Sequence, residues 1–152
     1  MSKSFDKQVE KFHHEIVELI KKYQFRDRNQ MVCCGISVSQ CYVLETLHRF
    51  GSLTMNNLAV KMHLSISTVT RVVEPLVKKN YVRREEDAND RRLRLIKLTK
   101  AGEEIFRESW RIVFESEKRI LGNFPSESRD TLIELLEKLN QAVGQWQTSC
   151  SG

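Results

Sequence analysis

Glycine and proline are scarce in this sequence, with 6 and 2 residues among 152. Both residues interrupt regular secondary structure, so their scarcity, together with 30% charged residues, predicts a mainly helical chain. No apolar run approaches the ~20 residues that a membrane-spanning helix needs. The charged N-terminus also lacks the apolar core of a secretion signal. We therefore expect a single-domain cytoplasmic protein with no membrane partner.

The motifs of common catalytic sites are also missing from the sequence. There is no glycine-rich phosphate loop, no nucleophile motif and no coupled acid–base pair. A small thiol oxidoreductase based on Cys33 and Cys34 is conceivable, but adjacent cysteines are poorly shaped for a reversible disulfide. We expect no enzymatic activity and no required cofactor.

Two short amphipathic helices joined by a turn are predicted near the middle of the chain. Thr54 can cap a helix that ends near Met62, because its hydroxyl can accept an N–H group that the first turn leaves unpaired. Ser65 can cap the next helix, which Asn80 can end in the left-handed conformation. The apolar residues of this second helix recur at helical spacing and are Val69, Val72, Val73, Leu76 and Val77. This order of elements is that of a helix-turn-helix.

The opposite face of the second helix carries small hydroxyl residues and an arginine. Ser67 and Arg71 lie on this face, with Thr68 and Thr70 beside it. Such side chains can reach phosphates and base edges when a helix enters a major groove. An ordinary amphipathic surface helix would show the same pattern, so the helix alone does not decide the function. Pro75 removes a backbone hydrogen bond and predicts a bend in this helix.

A β-hairpin with a charged tip is predicted after the second helix. Its strands are residues 81–84 and 93–98, its tip is residues 85–92, and residues 52–54 can add a short edge strand. Asp90 could hold the guanidinium of Arg91 or Arg92 and leave the other free. A positioned arginine at a hairpin tip suits a narrow minor groove. The alternative is a solvated charged turn.

The distribution of charge favours nucleic acid as the partner. Residues 61–100 contain 11 Lys or Arg and 5 Asp or Glu, a net charge of +6, whereas the whole chain carries +5. The basic excess therefore lies on the helix-turn-helix and hairpin, as a DNA-binding surface requires. A winged helix used only for protein contacts would not need this excess.

The sequence resembles the MarR family of winged helix-turn-helix transcriptional regulators over nearly its whole length. Two residues depart from the family pattern, Ala88 where the family often has Pro and Asn80 where it often has Gly. The residues that carry the resemblance are Leu53-Thr54, Leu58-Ala59, Ser67 to Val73, Leu76, Lys79 to Arg84, Asp90-Arg91-Arg92 and Leu98 to Gly102.

The resemblance implies a mainly α fold with a small β-hairpin wing (α+β), built as a single MarR-like domain over residues 1–152. Its winged-helix DNA-binding lobe would span residues 37–98, with the recognition helix starting at Ser65. Arg92 would enter the minor groove, and Asp90 would orient the wing arginines. We expect a cytoplasmic repressor that binds double-stranded DNA at a pseudo-palindromic operator. The predicted DNA-binding residues are Thr54, Ser65, Ser67, Thr68, Thr70, Arg71, Lys78, Arg84, Asp90, Arg91, Arg92 and Arg94.

The terminal helices carry more apolar surface than one small winged domain needs. Residues 4–26 form a predicted first helix, followed by a loop to Ile36 and a second helix with a capping box of Ser37 and Gln40. Thr99 is the predicted cap of a long helix after Gly102. A last helix begins at Pro125 and Ser126, and the tail from Ser149 is expected to fray. We predict a homodimer through residues 4–26 and 103–148, as in the family.

Three cysteines close in sequence, Cys33, Cys34 and Cys41, are the candidate sensor of an effector. Thiol oxidation could shift the DNA-binding lobes. The same thiols could bind a soft metal ion, although the sequence has no C-x₂-C pair. They could equally be small residues without a sensing role, and Cys150 is treated as incidental. The fourth possibility is a small aromatic ligand, to which family members commonly respond in this region.

Overall fold

The computed structural model describes residues 3–31 and 34–150, and it has the mainly helical architecture with a small antiparallel sheet that the sequence predicts. The chain divides into two compact units, residues 1–112 and residues 113–152. The elements in chain order are α1 (Lys3–Met31), α2 (Val38–Phe50), β1 (Leu53–Thr54), α3 (Met55–Met62), α4 (Ile66–Lys78), β2 (Val82–Glu86), β3 (Arg94–Leu98), α5 (Lys100–Leu121) and α6 (Ser126–Cys150).

The strands form one antiparallel sheet in the order β1-β3-β2. The hairpin pairing of β2 with β3 runs from Val82 opposite Leu98 to Glu86 opposite Arg94. β1 pairs with the other edge of β3, which confirms the predicted edge strand. Because β1 leads directly into α3, the sheet connects the helix-turn-helix to the base of the hairpin.

The core of the first unit lies where α2, α3, α4 and the sheet meet. The predicted apolar stripe of α4 supplies three of its residues, so burial fixes the rotation of α4 about its own axis. The face with the hydroxyl residues is consequently left outside. The fully buried apolar residues of the core are Val43, Leu44, Leu58, Val69, Val73, Leu76, Val82 and Ile96.

Side-chain caps begin the helices where the sequence predicts them. The Ser37 hydroxyl accepts a hydrogen bond from the Gln40 N–H (3.1 Å), and the Gln40 side chain accepts one from the Ser37 N–H (3.0 Å). The hydroxyls of Thr54 and Ser65 each accept an N–H of the following helix at 3.2 Å. Thr99 does the same for the first turn of α5 at 3.0 Å. These local predictions are confirmed.

The first helix is longer than predicted. It continues past Arg26 to Met31, so the loop expected to begin at Arg26 is wrong over this stretch. The reason is a tertiary contact: Asp27 is buried, and its carboxylate accepts hydrogen bonds from the Tyr42 hydroxyl (2.7 Å) and the Arg26 guanidinium (2.7 and 2.9 Å). The bond from Tyr42 holds the end of α1 against α2.

The hairpin also differs from the predicted bounds. β2 includes Glu85 and Glu86, which the sequence placed in the tip, while Tyr81 lies outside it and β3 begins one residue later than predicted. Both acids face basic residues of β3, Glu86 at 3.8 Å from Arg94 and Glu85 at 3.8 Å from Lys97. Opposite charges across the strands favour pairing over the longer stretch.

The last two helices are longer than predicted. α5 begins at Lys100, so Gly102 is helical, and α6 continues to Cys150. Ser149 is therefore not frayed, and its hydroxyl donates to the Trp146 carbonyl at 2.8 Å. The predicted lower bound of 103 and upper bound of 148 both fall inside helices.

α4 runs through Pro75 to Lys78 without interruption, and Asn80 after it has the predicted left-handed conformation, with φ of 58°. The helix is followed by a hydrogen bond from the Tyr81 N–H to the Leu76 carbonyl (2.9 Å). α4 and the hairpin are thus joined by a short, bonded connection. The bend at Pro75 stays a prediction.

Gly102 packs against the backbone that leads into β2. A Cβ built at Gly102 would lie 1.9 Å from the Tyr81 carbonyl oxygen, which is part of the backbone and cannot rotate away. We predict that Gly102→Ala lowers the free energy of unfolding by about 3 kcal/mol, because overpacking against fixed backbone is destabilising. Urea unfolding followed by circular dichroism measures the change.

Gly144→Ala in α6 is the matched control. A Cβ at Gly144 meets nothing within 4 Å among the described residues. Alanine favours a helix over glycine by roughly 1 kcal/mol, so this variant should be at least as stable as the wild type. Equal stability of the Gly102→Ala variant and the wild type would contradict the close contact between α5 and the entrance to β2.

Candidate nucleic-acid interface

The N-terminal turn of α4 brings several of the predicted DNA-binding hydroxyls together. Ser65 has an extended backbone, and its hydroxyl lies 3.1 Å from that of Ser67 and 2.8 Å from that of Thr68. Ser65 and Ser67 are exposed and Thr68 is half-buried. The first turn of a helix also has unpaired N–H groups and a partial positive charge. This end of α4 can therefore bind phosphate oxygens and reach base edges.

The remaining predicted DNA-binding residues of the helix-turn-helix differ in how accessible their side chains are to DNA. Arg71 is exposed on α4 beside the hydroxyls, and Lys78 is exposed in the last turn. The Thr70 hydroxyl donates to the Ile66 carbonyl at 2.8 Å, so this hydroxyl proton is already used. Thr54 caps α3 and is half-buried. Arg71 is thus the predicted residue of α4 best placed to reach outward.

The turn between α3 and α4 contains a feature that the sequence analysis missed. His63 ends α3 in the left-handed conformation, with φ of 54°. The Leu64 N–H then donates to the Ala59 carbonyl at 3.1 Å, which closes the turn. Histidine in this conformation is uncommon, and no glycine or asparagine marks the position, so the sequence carried little signal for it.

The wing tip is shaped by hydrogen bonds to Asp87. Its carboxylate accepts hydrogen bonds from the N–H groups of Asn89 (2.7 Å) and Asp90 (3.1 Å). The backbone closes the tip with bonds from Asp87 N–H to the Leu93 carbonyl and from Leu93 N–H to the Asp90 carbonyl, each 3.0 Å. Asp87 is thus a turn-forming residue, as aspartate often is. This role is not predicted from the sequence.

Asp90 holds one wing arginine, and that arginine is Arg92. The Asp90 carboxylate accepts hydrogen bonds from the Arg92 Nε (3.1 Å), Nη2 (3.2 Å) and backbone N–H (3.1 Å). These bonds lower the pKa of the Asp90 carboxyl group, so it is ionised at neutral pH. The Arg92 side chain is nevertheless 91% exposed. Arg92 is thus both held in position and accessible to a partner. Arg91 beside it is exposed as well.

The other two predicted wing contacts are engaged within the protein. Arg84 is ion-paired with Glu74 of α4, and Arg94 lies 3.8 Å from Glu86 of the opposite strand. Arg83, on the other face of β2 from Arg84, pairs with Glu85 instead. Arg92 also has an ion pair, but its partner Asp90 lies in the tip itself, and the Arg92 side chain is more exposed (91%) than those of Arg84 (39%) and Arg94 (68%). The arginines of the tip are therefore the most accessible to DNA.

The candidate sensor cysteines lie in different surroundings. Cys33 is outside the described residues, Cys34 is half-buried and Cys41 is buried. Burial raises the pKa of the Cys41 thiol to about 11, an effect that Glu45 and Cys34 reinforce. The Cys41 thiol is therefore protonated at neutral pH, a poor state for a nucleophile or a metal ligand. In the described ranges 3–31 and 34–150, no group of three His, Cys, Asp or Glu residues has the arrangement of a metal site.

The loop that carries Cys34 is bonded to the residue that follows α4. The Lys79 ammonium, just after α4, donates to the Gly35 carbonyl at 2.7 Å. The two residues are far apart in sequence, so the sequence analysis could not detect this link. A displacement of the loop would therefore be felt at α4.

A cavity of about 590 Å³ lies between α1 and α2, within the first unit. Its polar groups centre on the buried Asp27 carboxylate, which Tyr42 bonds at 2.7 Å. Burial and the neighbouring Asp27 carboxylate raise the pKa of the Tyr42 hydroxyl, which stays protonated. The cavity is lined by Ile20, Tyr23, Gln24, Asp27, Val38 and Tyr42. An aromatic lining with one acidic group suits a small planar ligand with a hydrogen-bond donor.

None of the helices in the described part of the chain combines the length and the apolar character that crossing a lipid bilayer would require.

Comparison with known proteins places the chain in a family. The model of the MarR family matches residues 36–93. YcgE, an uncharacterized HTH-type transcriptional regulator of Bacillus subtilis (strain 168), is 32% identical over 108 residues, which cover 64% of this chain and 70% of that protein. The HTH-type transcriptional repressor MdtR of the same organism is 29% identical over 124 residues, or 82% of this chain and 77% of MdtR.

A solved structure supports the same assignment. The structure of a MarR family protein from Bacillus stearothermophilus matches with a TM-score of 0.77 and 26% sequence identity, and the match covers 95% of this chain and 99% of that one. The shared fold thus extends well beyond the helix-turn-helix and wing. The chain belongs to the MarR family of winged helix-turn-helix transcriptional regulators.

Proposed function

We propose that this regulator is a homodimeric repressor of a pseudo-palindromic operator. The observation that carries the proposal is the wing arginine Arg92, held by Asp90 and 91% exposed, on the same lobe as the hydroxyl cluster and Arg71 of α4. The helix would read the major groove and the arginine would enter the minor groove. The repressor role is supported by the likeness to MdtR.

The proposed dimer rests on apolar surface that the single chain leaves uncovered. α6 contains no buried residue over its 25 residues. α1 likewise exposes large apolar side chains along its length. Apolar stripes of this size normally pack against another protein surface. The exposed large apolar residues are Phe5, Val9, Phe12, Leu19, Ile20 and Phe25 in α1 and Ile133, Leu135, Leu136, Val143 and Trp146 in α6.

Two-fold symmetry then determines the form of the operator. A symmetric dimer presents two copies of α4, and dimeric helix-turn-helix proteins bind half-sites about one DNA turn apart, ~34 Å or ~10 bp. Each half-site would meet the same residues in the same orientation. The operator would therefore be a near-palindrome, read by both protomers in double-stranded DNA.

We propose further that an effector acts in the region from the end of α1 to Cys41. Thiol oxidation would begin at Cys33 or Cys34, because Cys41 is buried and protonated. A peroxide would convert the thiol to a sulfenic acid and be reduced to the corresponding alcohol or water. The enlarged side chain beside Gly35 would disturb the bond from Lys79 to Gly35 and so the end of α4. A soft metal ion at Cys33, Cys34 and Cys41 has less support, because the thiol of Cys41 would first have to lose its proton.

A small aromatic ligand is the second candidate effector. The cavity between α1 and α2 favours it, with aromatic walls and the buried Asp27 carboxylate. A ligand there would compete with the Tyr42 hydroxyl for Asp27 and loosen the contact that joins the two helices. Release from DNA by an aromatic compound with a hydrogen-bond donor, and not by peroxide, would favour this candidate.

We predict that Arg92→Ala weakens operator binding by roughly 1–3 kcal/mol, because the positioned groove contact is lost. The measurement is fluorescence anisotropy with the duplex upstream of the protein's own reading frame, at several salt concentrations. Wild-type affinity should fall steeply as salt rises. Lys7→Ala, the same charge change on the face of α1 opposite its apolar stripe, should leave affinity unchanged. Binding that ignores salt would contradict the proposed interface.

We predict that Leu136→Glu breaks the dimer. Leu136 is an exposed member of the α6 stripe, and a carboxylate buried in an apolar interface is strongly unfavourable. Light scattering at micromolar concentration should give twice the 17.8 kDa chain mass for the wild type and one chain for the variant. Gln141→Glu introduces the same charge on the other face of α6 and should stay dimeric. A wild-type mass of one chain would refute the dimer.

We predict that peroxide lowers wild-type operator affinity about tenfold, a common size for coupling between two sites. A variant with Cys33→Ser and Cys34→Ser should keep its affinity in peroxide, since the reactive thiols are gone. Cys150→Ser should respond as the wild type does. The same anisotropy titration, run with reductant, with peroxide and with added zinc, measures all three proteins. Loss of affinity in the double variant would exclude these thiols as the sensor.

A further inference from the structure

We propose that Glu74 and Arg84 are a positioning pair that sets the wing against the recognition helix. Glu74 lies on α4 and Arg84 lies on β2, and their side chains form an ion pair. Arg84 would thus act through the wing instead of contacting DNA itself. The proposal rests on the proposed DNA binding and adds to it a determinant of wing geometry.

The strand register explains why Arg84 reaches α4. Side chains alternate between the two faces of β2, so Arg84 shares a face with Val82, which is buried in the core. Arg84 is also paired with Ile96 of β3, another core residue. Its long side chain therefore extends from the core side of the sheet. Glu74 follows the buried Val73 and is only partly exposed, so it lies at the edge of the α4 contact.

The pair differs from the other ion pairs of the wing. Those of Glu85, Glu86 and Asp90 all join residues within the hairpin. Among the ion pairs recorded for the described residues of the wing, Glu74–Arg84 is the one that connects the hairpin to α4. It therefore restrains the hairpin relative to the helix, whereas the others stiffen the hairpin itself.

The Glu74–Arg84 pair is located where it can influence the position of the wing tip. The base of the hairpin is anchored by Val82 in the core and by the hydrogen bond from the Tyr81 N–H to α4. Arg84 lies two residues further toward the tip. At this level β3 is held by its pairing with β1, whereas β2 is the outer strand of the sheet, so the bond to Glu74 gives β2 an anchor of its own on α4 and limits its motion. The position of Arg92 relative to α4 then depends on the pair.

Removal of the Glu74 charge separates positioning from simple electrostatics. Glu74→Gln makes the protein more positive by one charge, and attraction to phosphates alone would then strengthen DNA binding. Loss of a wing anchor instead weakens binding, because Arg92 reaches the groove less often. The two explanations predict opposite signs for one substitution.

The test is a double-mutant cycle by fluorescence anisotropy on the full-length protein. Glu74→Gln should weaken operator binding about fivefold, within the range measured for coupled residues. In an Arg92→Ala background the same substitution should have little effect, because the wing contact is already gone. Glu85→Gln is the matched control: it is the same charge change on the outer face of β2 and leaves the bond to α4 intact.

The possible outcomes are distinct. Tighter binding by Glu74→Gln, or a change equal to that of Glu85→Gln, would overturn the positioning role. A loss of equal size in both backgrounds would also overturn it, because it would mean that Glu74 does not act through Arg92. If the wild type bound no duplex in a salt-dependent way, the regulator proposal itself would fall and this one with it. The two failures are thus distinguishable.

Charge reversal at Glu74 and Arg84 provides a second test that distinguishes loss of the ion pair from misfolding of a variant. Glu74→Arg and Arg84→Glu each place like charges together, whereas the variant with both substitutions recreates an ion pair at unchanged net charge. We expect the double variant to recover much of the operator affinity that either single variant loses. Circular dichroism of each variant verifies the fold. Folded single variants with no recovery in the folded double variant would overturn the proposal.

Discussion

The interface depends on the burial of one side of α4. Val69, Val73 and Leu76 are completely buried, and each such side chain contributes roughly 1.5–3 kcal/mol when removed from water. Rotation of α4 about its axis would expose all three, a loss larger than any surface hydrogen bond could offset. The core therefore decides which side of the helix faces outward. The hydroxyl residues at the start of α4 and Arg71 face outward because the apolar residues on the other side of the helix are buried in the core.

The acidic residues within the basic segment 61–100 have structural roles. These roles explain why carboxylates lie on a surface that would bind negatively charged DNA. Asp87 folds the wing tip, Asp90 holds Arg92, and Glu85 and Glu86 neutralise cross-strand cations. Each carboxylate is occupied by a donor within the protein. The net charge that remains is carried by exposed side chains such as Arg71 and Arg91. The acids thus decide which of the basic groups are available to DNA.

Local features could be predicted from the sequence, and long-range contacts could not. The caps at Ser37, Thr54 and Ser65 need only a hydroxyl and a following turn, so they were found where predicted. The last turn of α1 depends on the bond between Asp27 and Tyr42, fifteen residues apart, which no local pattern indicates. The same holds for the role of Arg84, whose partner Glu74 is on another element. The family pattern identified the basic residues of the wing. It could not show which of them form ion pairs with other residues of the protein.

The size of the available contacts limits how an effector can act. One hydrogen bond such as that from Lys79 to Gly35 contributes about 1 kcal/mol, and its loss shifts an equilibrium only about fivefold. Release by the proposed effector would need a larger change, so the loss of this bond alone would not be sufficient. Cys41 lies in the core beside Ser109 of α5. A change at the loop that disturbed the packing of Cys41 would add a loss of packing free energy in the core to the loss of the hydrogen bond between Lys79 and Gly35. The proposed switch would therefore need a contribution from the core around Cys41 as well as from the bond between Lys79 and Gly35.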